Sequence, residues 1–187
     1  MGLMIHSLEE FPSQATRGYY IYLLDYGWDE PLRNALISNF GEMGKQASQN
    51  NAVVFRGTVG SHFEDEVLSW HSVNGQNTEE ILPAILITTK HPTSFRELPR
   101  SNQEHIDDSL ILIPLKKLCK SSSDVVSLIE RLFLDIKEGK ELKDFKVSTE
   151  MRKGISGALV DAVILEPNFG GIGIKLKPLI ERLFKKS

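Results

Sequence analysis

The chain has 187 residues, of which 41% are hydrophobic and 25% charged, with a formal net charge of −3. That length suits one domain over 1–187 that buries roughly 70% of its unfolded surface, and the balance excludes a disordered or fibrous chain. So small a net charge gives no bulk argument for a nucleic-acid or acidic-substrate partner, and Cys119, the only cysteine, excludes an internal disulfide, a CxxC pair and a multi-cysteine zinc site.

Met1 to Glu10 show neither a basic leader nor an apolar run of signal length, and no window approaches eighteen apolar residues. A cytoplasmic protein with no membrane partner is the expectation. Charge is unevenly spread: residues 1–136 hold 11 Lys and Arg against 18 Asp and Glu, residues 137–187 hold 11 against 7. Both regions read as solvated faces.

Tyr19 to Asp25 (YYIYLLD) is aromatic, β-branched and nearly uncharged, the pattern of a central strand buried on both faces. Asp29 then offers an N-cap and Pro31 a first-turn residue, and Leu32, Ala35, Leu36, Phe40 and Met43 recur at helical spacing, so residues 30–45 read as one amphipathic helix. A second strand, Ala52 to Arg56, leads into the turn Gly57-Thr58-Val59-Gly60. Ser61 and Glu64 form a capping-box signature for a short helix through Phe63, Val67, Leu68, Trp70 and His71. Pro83 opens a third strand through Thr89, and residues 90–108 form a polar loop. Ser109 to Leu115 is the fourth strand, with Pro114 marking a strand end or an edge. Ser121 to Asp124 caps a helix whose stripe is Val125, Val126, Ile129, Leu132, Phe133 and Ile136.

The expected order is β-α-β-α-β-β-α over a core of about 19–137, followed by an extension of about 145–187. In the extension, Gly157 to Glu166 and Gly171 to Leu176 read as a β-hairpin, and Pro178 to Lys185 as a short helix. With a helix between strands one and two and a proline opening strand three, this order resembles the thioredoxin-like fold. The resemblance implies that Pro83 is cis and faces the loop Tyr26-Gly27-Trp28-Asp29-Glu30-Pro31. That loop has Gly-Trp-Asp-Glu where the family carries CxxC, so a redox-inactive member is implied, because thiol exchange requires a thiolate. Cys119 reads as structural or incidental. Ferredoxin-like and doubly wound sheets are built from the same pieces.

In any of these sheets, ligands favour the carboxyl ends of parallel strands. Those ends supply Asp25, Tyr26 and Trp28 from the first strand and Arg56, Thr58, Ser61 and His62 from the second. Asp25 and His62 are the catalytic candidates; Trp28, Arg56, Thr58 and Ser61 are the ligand-binding ones, with Arg56 and the helix start at Ser61 suited to an anion. His62 and Glu66 have metal-ligand spacing, but His71 lies half a turn out of phase and no third ligand follows, so a solvated acidic face is expected rather than a metal site. His91, and His105 with Asp107 and Asp108, fall on the long polar loop. No GxSxG, Walker loop or HExxH is present.

The tail places Phe169, Ile172 and Ile174 among glycines and continues through Leu179, Leu183 and Phe184 in a short basic helix. Such a segment packs on its own core or docks on a partner. It is similar to endings of small proteins from bacterial defence operons, without a motif that defines the likeness. The leading expectation is a non-catalytic binding or adaptor subunit of an intracellular protein complex, with another protein as partner and no cofactor. The alternative is a small hydrolase or phosphate-handling enzyme using the strand-end pocket. Nucleic-acid binding by the tail is disfavoured by its few aromatics.

Overall fold

The computed structural model describes residues 1–28, 30–71, 78–95, 110–152 and 164–165. In chain order these form β1 (Gly2–Ile5), a 3-10 turn (Leu8–Glu10), β2 (Tyr19–Leu24), α1 (Pro31–Ser38), α2 (Phe40–Gln49), β3 (Ala52–Gly57) and α3 (Phe63–Trp70). There follow α4 (Thr78–Ile81), β4 (Ala84–Thr88), a 3-10 turn (Pro92–Phe95), β5 (Leu110–Pro114), α5 (Leu115–Leu118), α6 (Ser122–Lys137), a 3-10 turn (Leu142–Asp144), α7 (Lys146–Arg152) and β6 (Ile164–Leu165). Among the described residues no helix is long and apolar enough to cross a membrane.

The six strands make one mixed sheet in the order β1-β3-β2-β4-β5-β6. Strands β1 and β2 run parallel to β3, and β4, β5 and β6 are each antiparallel to the preceding neighbour. Every residue of β2 is buried, because helices cover both faces. Tyr19, Ile21 and Leu23 join a core with residues of α1, α2 and α6, whereas Tyr20, Tyr22 and Leu24 join a second core with Phe63, Val67 and Leu68 of α3. This two-sided burial is why the strand is apolar throughout rather than alternating.

The mixed α/β sheet and the four expected strands are present, but several details differ. Gly2–Ile5 is a strand that its sequence does not signal: only Ile5 is buried. It lies beside α2, where a Cβ on Gly44 would stand 3.0 Å from the Gly2 Cα. The expected helix over 30–45 is two helices. Asn39 ends α1, its side-chain amide donating to the Ala35 carbonyl at 2.8 Å, and α2 then turns onto β1 and β3 while α1 packs on α6. Asp29 lies outside the described residues; the residue at the α1 N-cap is Glu30, without a side-chain cap bond, and Pro31 takes the first helical position.

Pro114 closes β5 opposite Ala84 and marks a strand end, since β5 has neighbours on both sides. The Leu82–Pro83 bond is cis. Ser121 and Asp124 form a complete capping box on α6. The expected extension begins inside the core: Phe145, Val147 and Met151 are buried against α6. The buried Asp135 of α6 ties this segment down by accepting from Lys140 Nζ and from the Lys146 N–H, both at 2.7 Å. Ile164 and Leu165 pair with Ile111 and Leu110 of β5. The remaining residues of the expected hairpin and the short helix lie outside the described residues.

Candidate functional site

Parallel strands β2 and β3 end on the same side of the sheet, and the loops that leave them wall a pocket of about 780 Å³. Asp25, Trp28, Arg56, Thr58, Ser61 and His62, the residues named from the sequence, all line it, together with Tyr26, Arg33, Glu64 and Asp65. Topology is what gathers them: parallel neighbours deliver their following loops to one edge.

The individual roles differ from the expected ones. The Asp25 carboxylate, whose side chain is 10% exposed, accepts from Arg33 Nε at 3.0 Å and from the Gly27 N–H at 2.7 Å. It braces the loop to α1 rather than standing free as a base. Arg33 is a site residue that the sequence reading missed; its only signal is a position one turn into a helix that starts at Pro31. Trp28 is 55% exposed, its ring 5.3 Å from that of Tyr26. Arg56 sits opposite Leu23 and Met4 at the end of β3 and has no hydrogen-bond or ion-pair partner for its side chain among the described residues.

The capping box expected from Ser61 and Glu64 does not form. Ser61 turns back, its N–H and hydroxyl both donating to the Thr58 carbonyl, at 3.1 and 2.8 Å. The N-cap position falls on His62, which makes no side-chain cap bond. Helix α3 therefore starts with Phe63 laid over Gly57, where a Cβ would lie 2.5 Å from the Phe63 Cβ. An anion held at Ser61 by a helix start is thereby overturned, because Ser61 precedes the cap. Thr58 is also engaged, its hydroxyl 3.3 Å from His6 Nδ1.

His62 is 88% exposed at its side chain, with Nδ1 3.7 Å from Asp65 Oδ2. Its expected partner Glu66 faces elsewhere, accepting from the Ser7 hydroxyl at 2.7 Å and the Leu8 N–H at 3.0 Å. Glu64 and Asp65 take that place instead: one donor atom from each of His62, Glu64 and Asp65 lies within 4.8 Å of the others. Glu64 is only 7% exposed. Burial pushes its carboxyl above the usual range; its own backbone N–H opposes that shift, and the nearby Asp65 and Asp25 carboxylates add to it.

A groove adjoins the pocket, with Tyr26, Trp28 and Glu30 on one side and Leu82, Pro83 and Lys116 on the other. Pro83 thus faces the loop after β2, and Lys116 pairs with Glu30 at 3.4 Å. The other candidates stand apart. His91 hydrogen-bonds Thr93 and stacks on Phe11. His71 is buried between Tyr22 and Phe95. Cys119 is buried, and that burial, with Asp124 nearby, raises its thiol to about 11. His105, Asp107 and Asp108 lie outside the described residues, as do the tail positions Phe169, Ile172, Ile174, Leu179, Leu183 and Phe184.

Comparison of the chain with protein-family models, curated proteins and solved structures finds no match.

Proposed function

We propose that the chain is a non-catalytic binding subunit of a protein assembly, thioredoxin-like in architecture, that receives its partner at the strand-end pocket and the adjoining Pro83 groove. One observation carries this reading: the groups suited to chemistry are committed to structure, while the groups suited to recognition are open. Asp25 is held by Arg33 and the Gly27 N–H, whereas the Trp28 ring and the unpaired Arg56 guanidinium both line the pocket. An exposed tryptophan beside an arginine is the composition of an interface anchor. The thioredoxin-like part of the proposal is supported by the strand order and by a cis proline facing the loop after β2.

The test is a pair of substitutions, Trp28→Ala and Arg56→Ala, in the full chain isolated with its assembly from the native source. The proposal expects each variant to melt within about 2 °C of the parent, as surface substitutions do, and to lose the co-purifying subunit. Retention of that subunit by both variants, or a hydrolytic activity abolished by Asp25→Asn and His62→Ala, would overturn it.

A further inference from the structure

We propose that His62, Glu64 and Asp65 bind one divalent first-row transition-metal ion, with Zn²⁺ and Co²⁺ the ions that this donor set suits. The proposal rests on the reading of the pocket as a binding site, and it runs against the sequence expectation of no metal there. An imidazole nitrogen and two carboxylate oxygens are a borderline donor set of the kind that zinc takes when one position stays open to water or to a ligand.

The three donor atoms already lie within 4.8 Å of one another. Tetrahedral ligands at about 2.0 to 2.2 Å from an ion stand about 3.3 Å apart, so binding asks for a closure of little more than 1 Å. The side chains that must make it are the mobile ones: His62 is 88% exposed and Asp65 55% exposed. Each can rotate without disturbing the core.

Glu64 is the second and independent observation. Acidic residues in the first turn of a helix are favoured by the helix dipole alone, which accounts for an exposed Asp65. It does not account for a carboxylate that is 93% buried, faces the pocket and takes no hydrogen bond or ion pair from any other described residue. A buried carboxylate without a cation is costly, and Asp25 and Asp65 oppose its charge further. A divalent ion shared with His62 and Asp65 supplies the missing counter-charge. Such an ion would leave its open positions toward the pocket, where Trp28 and Arg56 also present themselves.

The experiment titrates CoCl₂ and ZnCl₂ into the full chain after chelator treatment, following heat by calorimetry and the visible Co²⁺ absorption bands. The expected result is one saturable equivalent with low-symmetry Co²⁺ bands, and a loss of affinity of at least tenfold in both His62→Ala and Glu64→Gln. Glu64→Gln removes the repelled charge, so without metal it keeps or raises the melting temperature while losing the rise that Zn²⁺ gives the parent. Glu42→Gln, an exposed carboxylate on α2, leaves binding unchanged. Absence of saturable binding at 1 mM metal, or equal binding by the parent and Glu64→Gln, would overturn the metal site. Either of those results, with partner capture still sensitive to Trp28→Ala, would leave the binding-subunit reading standing.

Discussion

The ring of His71 stands 4.9 Å from that of Tyr22 at an angle of 65°, and each carries a buried polar atom, Nε2 and the hydroxyl, with no partner among the described residues. The two orphans are complementary. His71 Nδ1 lies 2.7 Å from the Val67 carbonyl and can only donate to it, so in the neutral ring Nε2 is an acceptor facing a hydroxyl donor. Protonation would place a charge among Tyr22, Phe95 and the rest of this core.

Burial accordingly pushes His71 from the ordinary 6.5 to about 4, with the Val67 carbonyl opposing the shift. Between those pH values the unfolded chain holds a proton that the native chain does not. The stability tied to neutral His71 is therefore complete above pH 6.5 and is lost progressively as pH falls to 4, by about 3 kcal/mol. Urea midpoints of the parent and His71→Phe between pH 4 and 7 check this: the parent should weaken steeply and the variant less so. Parallel profiles would show that His71 is not the group responsible.

Cys119 should be inert in the folded chain. Its thiol is 5% exposed and raised to about 11, and the thiolate is the reactive form. A colorimetric thiol reagent at pH 8 should modify it at least 100-fold faster in 6 M guanidinium than under native conditions. Rapid native labelling would place the sulfur in a reactive setting that this packing does not provide.

The Asp25–Arg33 pair should behave as a brace for the pocket loop. Arg33→Ala leaves a nearly buried carboxylate with the Gly27 N–H alone, at a cost of about 1 to 3 kcal/mol, whereas a double substitution Asp25→Asn with Arg33→Ala should recover part of that loss. A double-mutant cycle by chemical denaturation reads the coupling. Strictly additive losses would mean that the two side chains act separately.

The sheet was largely legible because β2, β3, β4 and β5 are buried on most or all of their length and so are written as apolar runs. Strand β1 was not, since three of its four residues are outside the core. The break at Asn39 escaped notice because apolar spacing continues across it; what ends α1 is a side-chain bond back to Ala35, which periodicity does not encode. The pocket itself followed from parallel strand ends, yet the partnerships within it did not. Glu66 has the metal-ligand spacing from His62, but Ser7 and Leu8, 59 and 58 residues away, claim it. Long-range contacts of that kind decide which carboxylate faces the pocket, and here they leave Glu64.

The central claim is that the surface around Trp28 meets a partner. A photo-crosslinking amino acid placed at position 28 of the full chain, expressed in its native source, tests this against the same residue at Leu134, an exposed position on α6. The account predicts one dominant crosslinked protein from position 28, reduced at least fivefold by Arg56→Ala and absent from position 134. Equal crosslinking from both positions, or none from position 28 while the assembly remains intact, would contradict it.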